Sequence, residues 1–185
     1  MIADIISDAE QKMAKSIEYA KEEFAAIRTG RAHPAMFAKL TADYYGSPTP
    51  LQQLASFQVP EARMVLITPY DKSAMAGIEK AIRDSDLGVN PTDDGNVIRV
   101  TFPELTEERR KEYIKLVRNK AEEGRVAVRA VRRSAKDEID KLQKGSEVGE
   151  DEANRAEKQL DSVTKKNTDA IDELLKHKEA ELLEV

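Results

Sequence analysis

Hydrophobic positions at three- and four-residue steps predict three long amphipathic helices. The first is predicted over residues 2–28, and its apolar positions are Ile2, Ile5, Ala9, Met13, Ile17, Ala20, Phe24 and Ile27. Thr29-Gly30 is predicted to end it, because glycine tolerates the left-handed conformation that closes many helices. Two more helices are predicted over residues 106–143 and 148–183, with Thr106 as an N-cap and glycines in the turn between them.

Residues 31–104 follow a different pattern, and all seven prolines of the chain lie in this segment. Short alternating runs predict strands at residues 39–45, 54–59, 64–68 and 97–102. Turns are predicted at Gly46-Ser47-Pro48 and at Asp94-Gly95. One helix is predicted from about Asp71 to Leu87, capped by Asp71 and ended by Gly88.

These elements predict an α+β fold in which a small α/β domain interrupts a helical bundle. Residues 1–30 and 105–185 are expected to form a discontinuous antiparallel three-helix bundle, and residues 31–104 the inserted domain. Two short crossings join them, at residues 29–31 and 102–105. The pattern is compatible with a rigid junction and with a two-stranded hinge.

Composition and motifs favour a binding protein over an enzyme. The chain has no cysteine, which excludes thiolate catalysis, zinc–thiolate sites and disulfides. It contains no phosphate-binding glycine loop, no nucleophile elbow, no apolar run of membrane-spanning length and no basic leader at its start. We therefore expect a soluble cytoplasmic protein with no catalytic residues, no cofactor and no metal site.

The two histidines do not change that expectation. His177 lies four residues from Glu173 and from Glu181, which is a spacing that also suits a solvated helix face with favourable charge pairs. His33 precedes Pro34 just beyond the first helix, where an exposed loop is expected. Residues 90–95 resemble the start of a calcium loop, but the twelfth position is Thr101 rather than glutamate, so we interpret them as a turn.

Charge is distributed unevenly, although the net charge is only −5. Residues 105–136 carry a net charge of +6, and residues 137–185 carry −7. On the second long helix, basic residues at helical spacing form a stripe whose members are Arg118, Arg125, Arg129, Arg132 and Lys136. Three neighbouring arginines widen this basic patch: Arg109, Arg110 and Arg133. Either the stripe pairs with acids on the third helix, or it binds RNA phosphates.

Two details favour RNA phosphates as the ligand of the stripe. Five of the eight basic residues lie within positions 125–136, and four of those five are arginines, which grip phosphate bidentately. No aromatic residues are interleaved with them, which argues against base stacking and favours recognition of structured RNA. Arg28 and Arg31 flank the first crossing and extend the patch in sequence.

Several motifs closely resemble the ribosome recycling factor family. They are Ala26-Ile27-Arg28-Thr29-Gly30-Arg31-Ala32, Tyr45-Gly46-Ser47, Leu87-Gly88-Val89-Asn90-Pro91, the run Phe102-Pro103-Glu104-Leu105-Thr106-Glu107-Glu108-Arg109-Arg110-Lys111, and Val128-Arg129-Ala130-Val131-Arg132-Arg133. The resemblance covers essentially the whole chain in order. One small departure is His33, where the family pattern has a small polar residue.

The resemblance implies an L-shaped protein that acts after termination with elongation factor G. GTP hydrolysis by that partner would power the splitting of the ribosome, while the factor binds large-subunit ribosomal RNA at the intersubunit face and disrupts intersubunit bridges. The implied protein is a monomer with no membrane or small-molecule partner. The implied RNA contacts are Arg132, Arg129, Arg133, Arg110, Arg28 and Arg31. The implied hinge residues are Thr29, Gly30, Pro103, Glu104, Leu105 and Thr106.

Two other classes of protein compete with this interpretation. A coiled-coil adaptor that dimerises through its long helices accounts for the apolar seams and the charge, but gives no reason for the α/β insert. An RNA-modifying enzyme or nuclease lacks a metal cluster and a base–nucleophile pair in this sequence. Sedimentation separates the first two, because a ribosome-splitting factor is expected to be a monomer that joins ribosomes in a salt-sensitive way.

Overall fold

The computed structural model describes residues 1–184 and has the mixed, mostly helical α+β architecture expected from the sequence. The chain forms two compact units. One consists of Met1–Phe24 together with Lys115–Glu179, and the other of Ala25–Ile114 together with the residues from Ala180 onward. Among residues 1–184, no helix is both long and apolar enough to cross a membrane.

Five α-helices and six β-strands follow one another along the described residues. In chain order they are α1 (Ile2–Ala25), β1 (Thr41–Tyr44), β2 (Ser47–Pro50), α2 (Leu51–Leu54), β3 (Ala55–Glu61), β4 (Met64–Pro69), α3 (Met75–Arg83), β5 (Pro91–Asp93), β6 (Ile98–Thr101), α4 (Glu107–Lys144) and α5 (Glu150–Leu183). Short 3-10 helices at Pro34–Phe37 and Lys72–Ala74 precede β1 and α3.

The first unit is an antiparallel three-helix bundle made by α1 and most of α4 and α5. Its fully buried side chains include Met13, Val117, Val128, Leu160 and Ile171. The helices approach closely at Gly124, where an added Cβ would lie 3.1 Å from Ile171 Cδ1 and 3.9 Å from Ala20 Cβ. A glycine there allows all three helices to meet around one narrow core.

The second unit packs α3 against an antiparallel four-stranded sheet of order β3-β4-β6-β5. Val65 is paired with Val100 and Ile67 with Ile98, and all four side chains are fully buried in one core with α3. Phe37 joins the same core, with its ring 5.4 Å from that of Phe57 and 6.0 Å from that of Phe102. β1 and β2 form a separate hairpin.

Several predicted helix boundaries are confirmed and others are wrong. Thr106 caps α4, because its Oγ1 accepts a hydrogen bond from the Arg109 N–H at 3.1 Å. The first helix ends at Ala25 rather than residue 28, and Gly30 does not adopt a left-handed conformation. In the turn between α4 and α5 it is Ser146, and not a glycine, that has a positive φ of 57°.

The predicted helix from Asp71 to Leu87 is shorter in the structure. Asp71 does cap its start, since Oδ1 accepts a hydrogen bond from the Ser73 N–H at 2.9 Å, but the first turn is a 3-10 helix. The α-helix ends at Arg83. Just beyond it, the Ser85 hydroxyl donates a hydrogen bond to the Ile82 carbonyl. Gly88 is left-handed, with φ 68°, but lies in the loop beyond the helix.

The sequence-based prediction missed strands β2 and β5, because each contains proline, which is rare within strands. Both are edge strands, β2 paired only with β1 and β5 only with β6. An edge strand leaves one side without ladder bonds, so a residue that lacks an N–H is tolerated there. Both predicted turns are present, but the first lies at Tyr45-Gly46, since Ser47 and Pro48 belong to β2. Gly46 and Gly95 have positive φ, and Asp94 Oδ1 accepts from the Val97 N–H at 3.0 Å.

Candidate nucleic-acid interface

Three members of the basic stripe pair with acidic residues of α5. They lie seven residues apart on α4, so that each reaches one acid on the antiparallel neighbour. The pairs are Arg118–Glu179 at 2.6 Å, Arg125–Asp172 at 2.7 Å and Arg132–Asp161 at 2.6 Å. Pairing with the third helix, one of the two alternatives open from the sequence, therefore holds for these three arginines.

Arg132 bonds its partner through two nitrogen atoms. Its Nε and Nη2 lie 2.7 and 2.6 Å from the same oxygen of Asp161, and a second carboxylate, Glu157, is 4.0 Å away. The Arg132 side chain is 30% exposed. Charge-assisted bonds this short hold a guanidinium firmly, so phosphate binding by Arg132 has to compete with Asp161.

Arg129 of the stripe and Arg133 beside it are exposed and have no short ion pair among residues 1–184. They lie one helical turn apart on α4 and are both exposed. Arg129 is 3.5 Å from Glu122, too long for a strong hydrogen bond, and within residues 1–184 Arg133 has no ion pair. Their guanidinium groups are therefore more available to a phosphate than that of Arg132.

Arg28 is buried and contacts the second crossing segment. Only 6% of it is exposed, and its Nη2 donates a hydrogen bond to the Pro103 carbonyl. Its guanidinium carbon lies 5.3 Å from the centre of the Phe102 ring, within cation–π distance. Burial lowers the pKa of Arg28, but the ordinary pKa of arginine is so far above neutral that the side chain stays charged. The structure thus makes Arg28 a link between the two crossing segments.

Arg31 and Arg110 lie in the second unit, apart from the stripe on the bundle. With Arg63 they line a cleft of about 310 Å³ whose remaining walls include Gly30, Leu105 and three glutamates. The six predicted RNA contacts are therefore divided: Arg129, Arg132 and Arg133 lie on the bundle, and the other three belong to the second unit.

The residues that flank the predicted hinge are hydrogen-bonded to the turn between β3 and β4. The Ala32 N–H donates to the Ala62 carbonyl and the Phe102 N–H to the Arg63 carbonyl, both at 2.7 Å. Thr29 is buried, and its Oγ1 accepts from the Arg31 N–H at 3.3 Å. Pro103, Glu104 and Leu105 lie between β6 and α4 in neither helix nor strand.

A group of tyrosines marks the tip of the β1–β2 hairpin. Tyr45, which is 85% exposed, has a φ of 51° and begins a two-residue turn with Gly46. Its ring lies edge-on to that of Tyr44, with 4.6 Å between the centres. The Tyr44 hydroxyl donates to Asp71 Oδ2 at 2.6 Å, which raises the pKa of Tyr44 to about 12 and lowers that of Asp71.

Tyr44 is expected to titrate at a higher pH than an ordinary tyrosine, because Asp71 raises its pKa. Because the pKa is raised in the folded state, the stabilisation is complete below the ordinary tyrosine value near 10 and is lost as pH rises toward 12. Ultraviolet absorbance of tyrosinate during alkaline titration measures this. In Asp71→Asn the late-titrating tyrosine is expected to move to lower pH, whereas an unchanged titration curve would contradict the pairing.

Arg63 is the residue of this region that the sequence did not suggest. It lies at the turn between β3 and β4, outside every basic run. Its side chain is 3.7 Å from Glu104, so two segments separated in sequence meet in the cleft. No local signal marks such a pairing, because it depends on how the sheet turn packs against the second crossing.

Comparison with known proteins gives a consistent result along the whole chain. A family model described as "Ribosome recycling factor" matches residues 20–183. The ribosome-recycling factors of a Nocardioides species and of Streptomyces coelicolor are 69% and 66% identical to this chain over 185 residues, with full coverage of both proteins.

Two solved structures are similar in fold. A solution structure of the ribosome recycling factor is 44% identical, with a TM-score of 0.80, and the match covers 100% of this chain and 98% of that one. The T. thermophilus ribosome recycling factor, described with E. coli elongation factor G bound to the E. coli post-termination complex, is 41% identical with a TM-score of 0.71 and full coverage of both chains.

Proposed function

This chain belongs to the ribosome recycling factor family, and we propose that it splits post-termination ribosomes into subunits together with elongation factor G. In this proposal the chain is a cytoplasmic, monomeric and non-enzymatic factor, and GTP hydrolysis by elongation factor G supplies the energy. Support comes from the T. thermophilus relative, which is described as bound with elongation factor G to the post-termination complex.

The three-helix bundle is the part that we propose binds large-subunit ribosomal RNA. The observation that carries this proposal is the exposure of Arg129 and Arg133, one turn apart on α4 with at most a weak ion pair. Guanidinium groups so placed can grip two phosphates of a folded RNA backbone. The lack of aromatic side chains among them fits contact with phosphate and sugar rather than base stacking.

We propose that Arg132 also contacts the RNA, although Asp161 holds its side chain in the free protein. The two side chains bond at 2.6 Å, yet the Asp161 side chain is 53% exposed and can turn away into water. An ion pair of this exposure is worth about 0–1 kcal/mol, less than a bidentate arginine–phosphate contact desolvated in an RNA interface. We therefore expect Arg132 to exchange its carboxylate partner for a phosphate.

Asp161→Asn tests this exchange and the RNA-binding role of the bundle together. The substitution removes the competing charge, so the affinity for large ribosomal subunits is expected to rise by about threefold to tenfold. Sedimentation with large subunits over a series of salt concentrations measures it. Asp169→Asn is the control, because it also removes one negative charge from α5 and breaks the Lys165–Asp169 pair without touching the stripe.

Two other results would contradict the RNA-binding role of Arg132 or the proposed function as a whole. If Asp161→Asn destabilises the bundle and leaves the affinity unchanged, Arg132 is a structural partner of α5 and not an RNA contact. If the wild-type chain sediments as a dimer and does not join ribosomal subunits at any salt concentration, the proposed function itself is excluded and a coiled-coil adaptor is favoured.

We also propose that the two crossing segments act as a paired hinge. The residues are Thr29, Gly30, Pro103, Glu104, Leu105 and Thr106. The Arg28 bond to Pro103 ties one segment to the other, so that movement of one carries the second along with it. In this proposal Arg28 serves the hinge, and the phosphate contacts are made by the exposed arginines.

A further inference from the structure

The cleft beside the crossing segments has the features of a binding site that the RNA-binding bundle does not use. Its volume of about 310 Å³ is larger than a phosphate needs and is close to that of a nucleotide. Three guanidinium groups line it, from Arg31, Arg63 and Arg110. They come from three separate segments of the second unit, so the fold and not a local charge run brings them together.

Arg110 carries an unusual polar group in this cleft. Its Nε is buried and has no hydrogen-bond partner, a condition shared only with Arg28 Nε among the described residues. A buried donor without an acceptor costs about 1–3 kcal/mol, and more when it is charged. Arg110 also makes no ion pair within residues 1–184, so a cationic donor in the cleft wall lacks an anion.

Two of the three carboxylates of the cleft, those of Glu104 and Glu184, are weakly held. Arg31 is 3.5 Å from Glu184, and Arg63 is 3.7 Å from Glu104, distances too long for strong hydrogen bonds. The Glu104 side chain is 84% exposed and the Glu184 side chain 54% exposed. Such pairs contribute little to stability, so an anion that engages the arginines bidentately can displace them.

We propose that this cleft binds the phosphate of a ligand of nucleotide size, with Arg63 and Arg110 as its principal contacts and Arg31 at its rim. Buried Leu105 and exposed Ala62 provide an apolar wall against which a ribose can pack. The phosphate can belong to a free nucleotide or to an RNA strand, since both present the same group. The proposal stands independently of ribosome splitting, because it needs only the second unit.

Replacing Glu104 is expected to strengthen phosphate binding, whereas replacing an arginine of the cleft is expected to weaken it. A carboxylate that competes with phosphate for Arg63 weakens binding, so Glu104→Gln is expected to strengthen phosphate binding by about threefold. Arg63→Gln and Arg110→Gln are each expected to weaken it by at least about tenfold, because each removes a bidentate donor. Arg83→Gln is the matched control, since Arg83 is an exposed arginine of the same unit, paired with Glu79 and outside the cleft.

Nuclear magnetic resonance titration of the full chain provides the test, with adenosine monophosphate and a short RNA oligonucleotide as the two probes. The Nε–H signal of Arg110 and the backbone amides of Gly30, Arg31 and Leu105 are followed. Saturable shifts confined to these signals, lost in Arg63→Gln and Arg110→Gln but kept in Arg83→Gln, would support the site. Tighter binding of the nucleotide identifies a free ligand, and tighter binding of the oligonucleotide identifies RNA.

Three results would overturn the proposal. One is the absence of shifts with both probes; another is an equal loss of binding in Arg83→Gln, which would indicate general attraction of anions to the surface. The third is weaker rather than stronger binding in Glu104→Gln. That variant removes no arginine, so its result does not depend on whether the arginine variants fold. Failure here leaves ribosome binding by the bundle untouched, because ribosomes are absent from the assay.

Discussion

Replacing Arg129 and Arg133 together by glutamate is expected to weaken binding to the large ribosomal subunit by about a hundredfold. Each substitution removes a phosphate contact and adds repulsion against the RNA backbone. Both side chains are exposed, and only Arg129 has an ion pair, at 3.5 Å, so the bundle is expected to lose less than about 1 kcal/mol of stability. Sedimentation binding and a thermal melt followed by circular dichroism measure the two effects.

The salt dependence of binding gives a second readout for this double variant. The slope of log affinity against log salt is expected to fall by about two for two lost phosphate contacts. Lys158→Glu with Lys166→Glu is the control, since it changes the net charge equally at exposed positions of α5. An equal loss of affinity in the control variant would show that overall charge causes the effect. An unchanged affinity in both double variants would show that the stripe does not contact the RNA.

Arg28→Ala is expected to lower the free energy of unfolding of the second unit by about 2–4 kcal/mol. The substitution leaves the Pro103 carbonyl without its charged donor, removes a cation–π contact with Phe102 and opens a cavity in a buried position. Amide hydrogen exchange measures it best, because two units need not unfold together. The amides of Ala32 and Phe102, which tie the two crossing segments to the turn between β3 and β4, are expected to lose the most protection.

Two further variants make the Arg28 result specific. Arg28→Lys keeps the charge but not the planar fork, so it is expected to recover only part of the lost stability. Arg99→Ala removes an exposed arginine from β6 of the same unit and is expected to change stability by less than about 0.5 kcal/mol. If Arg28→Ala keeps full protection but loses ribosome affinity, Arg28 is an RNA contact and its structural role is wrong.

The helical part of the fold was predictable because its signal is local and long. Apolar positions repeat through α4 over 38 residues and α5 over 34, so small errors at the ends do not alter the assignment. Even the Thr106 cap follows from one side chain and the amide three residues later. The end of α1 was harder to place, because apolar Ile27 continues the pattern although it is buried outside the helix.

The functional surface was predictable only in part, because partners distant in sequence decide it. The spacing of α4 places its arginines on one face, but the choice between α5 and solvent depends on the register of two antiparallel helices. Asp161 therefore restrains Arg132, while Arg133 one residue later is exposed. The burial of Arg28 could not be predicted for the same reason, since its hydrogen-bond acceptor lies 75 residues away.

Light scattering of post-termination ribosomes mixed with this protein, elongation factor G and GTP tests the proposed function most directly. Splitting reduces the size of the scattering particles, so the account predicts a fall in intensity that requires all three components. The Arg129→Glu, Arg133→Glu double variant is expected to abolish most of that fall at limiting protein concentration. Unchanged scattering with all three components present, while the protein remains bound to the ribosomes, would contradict the account.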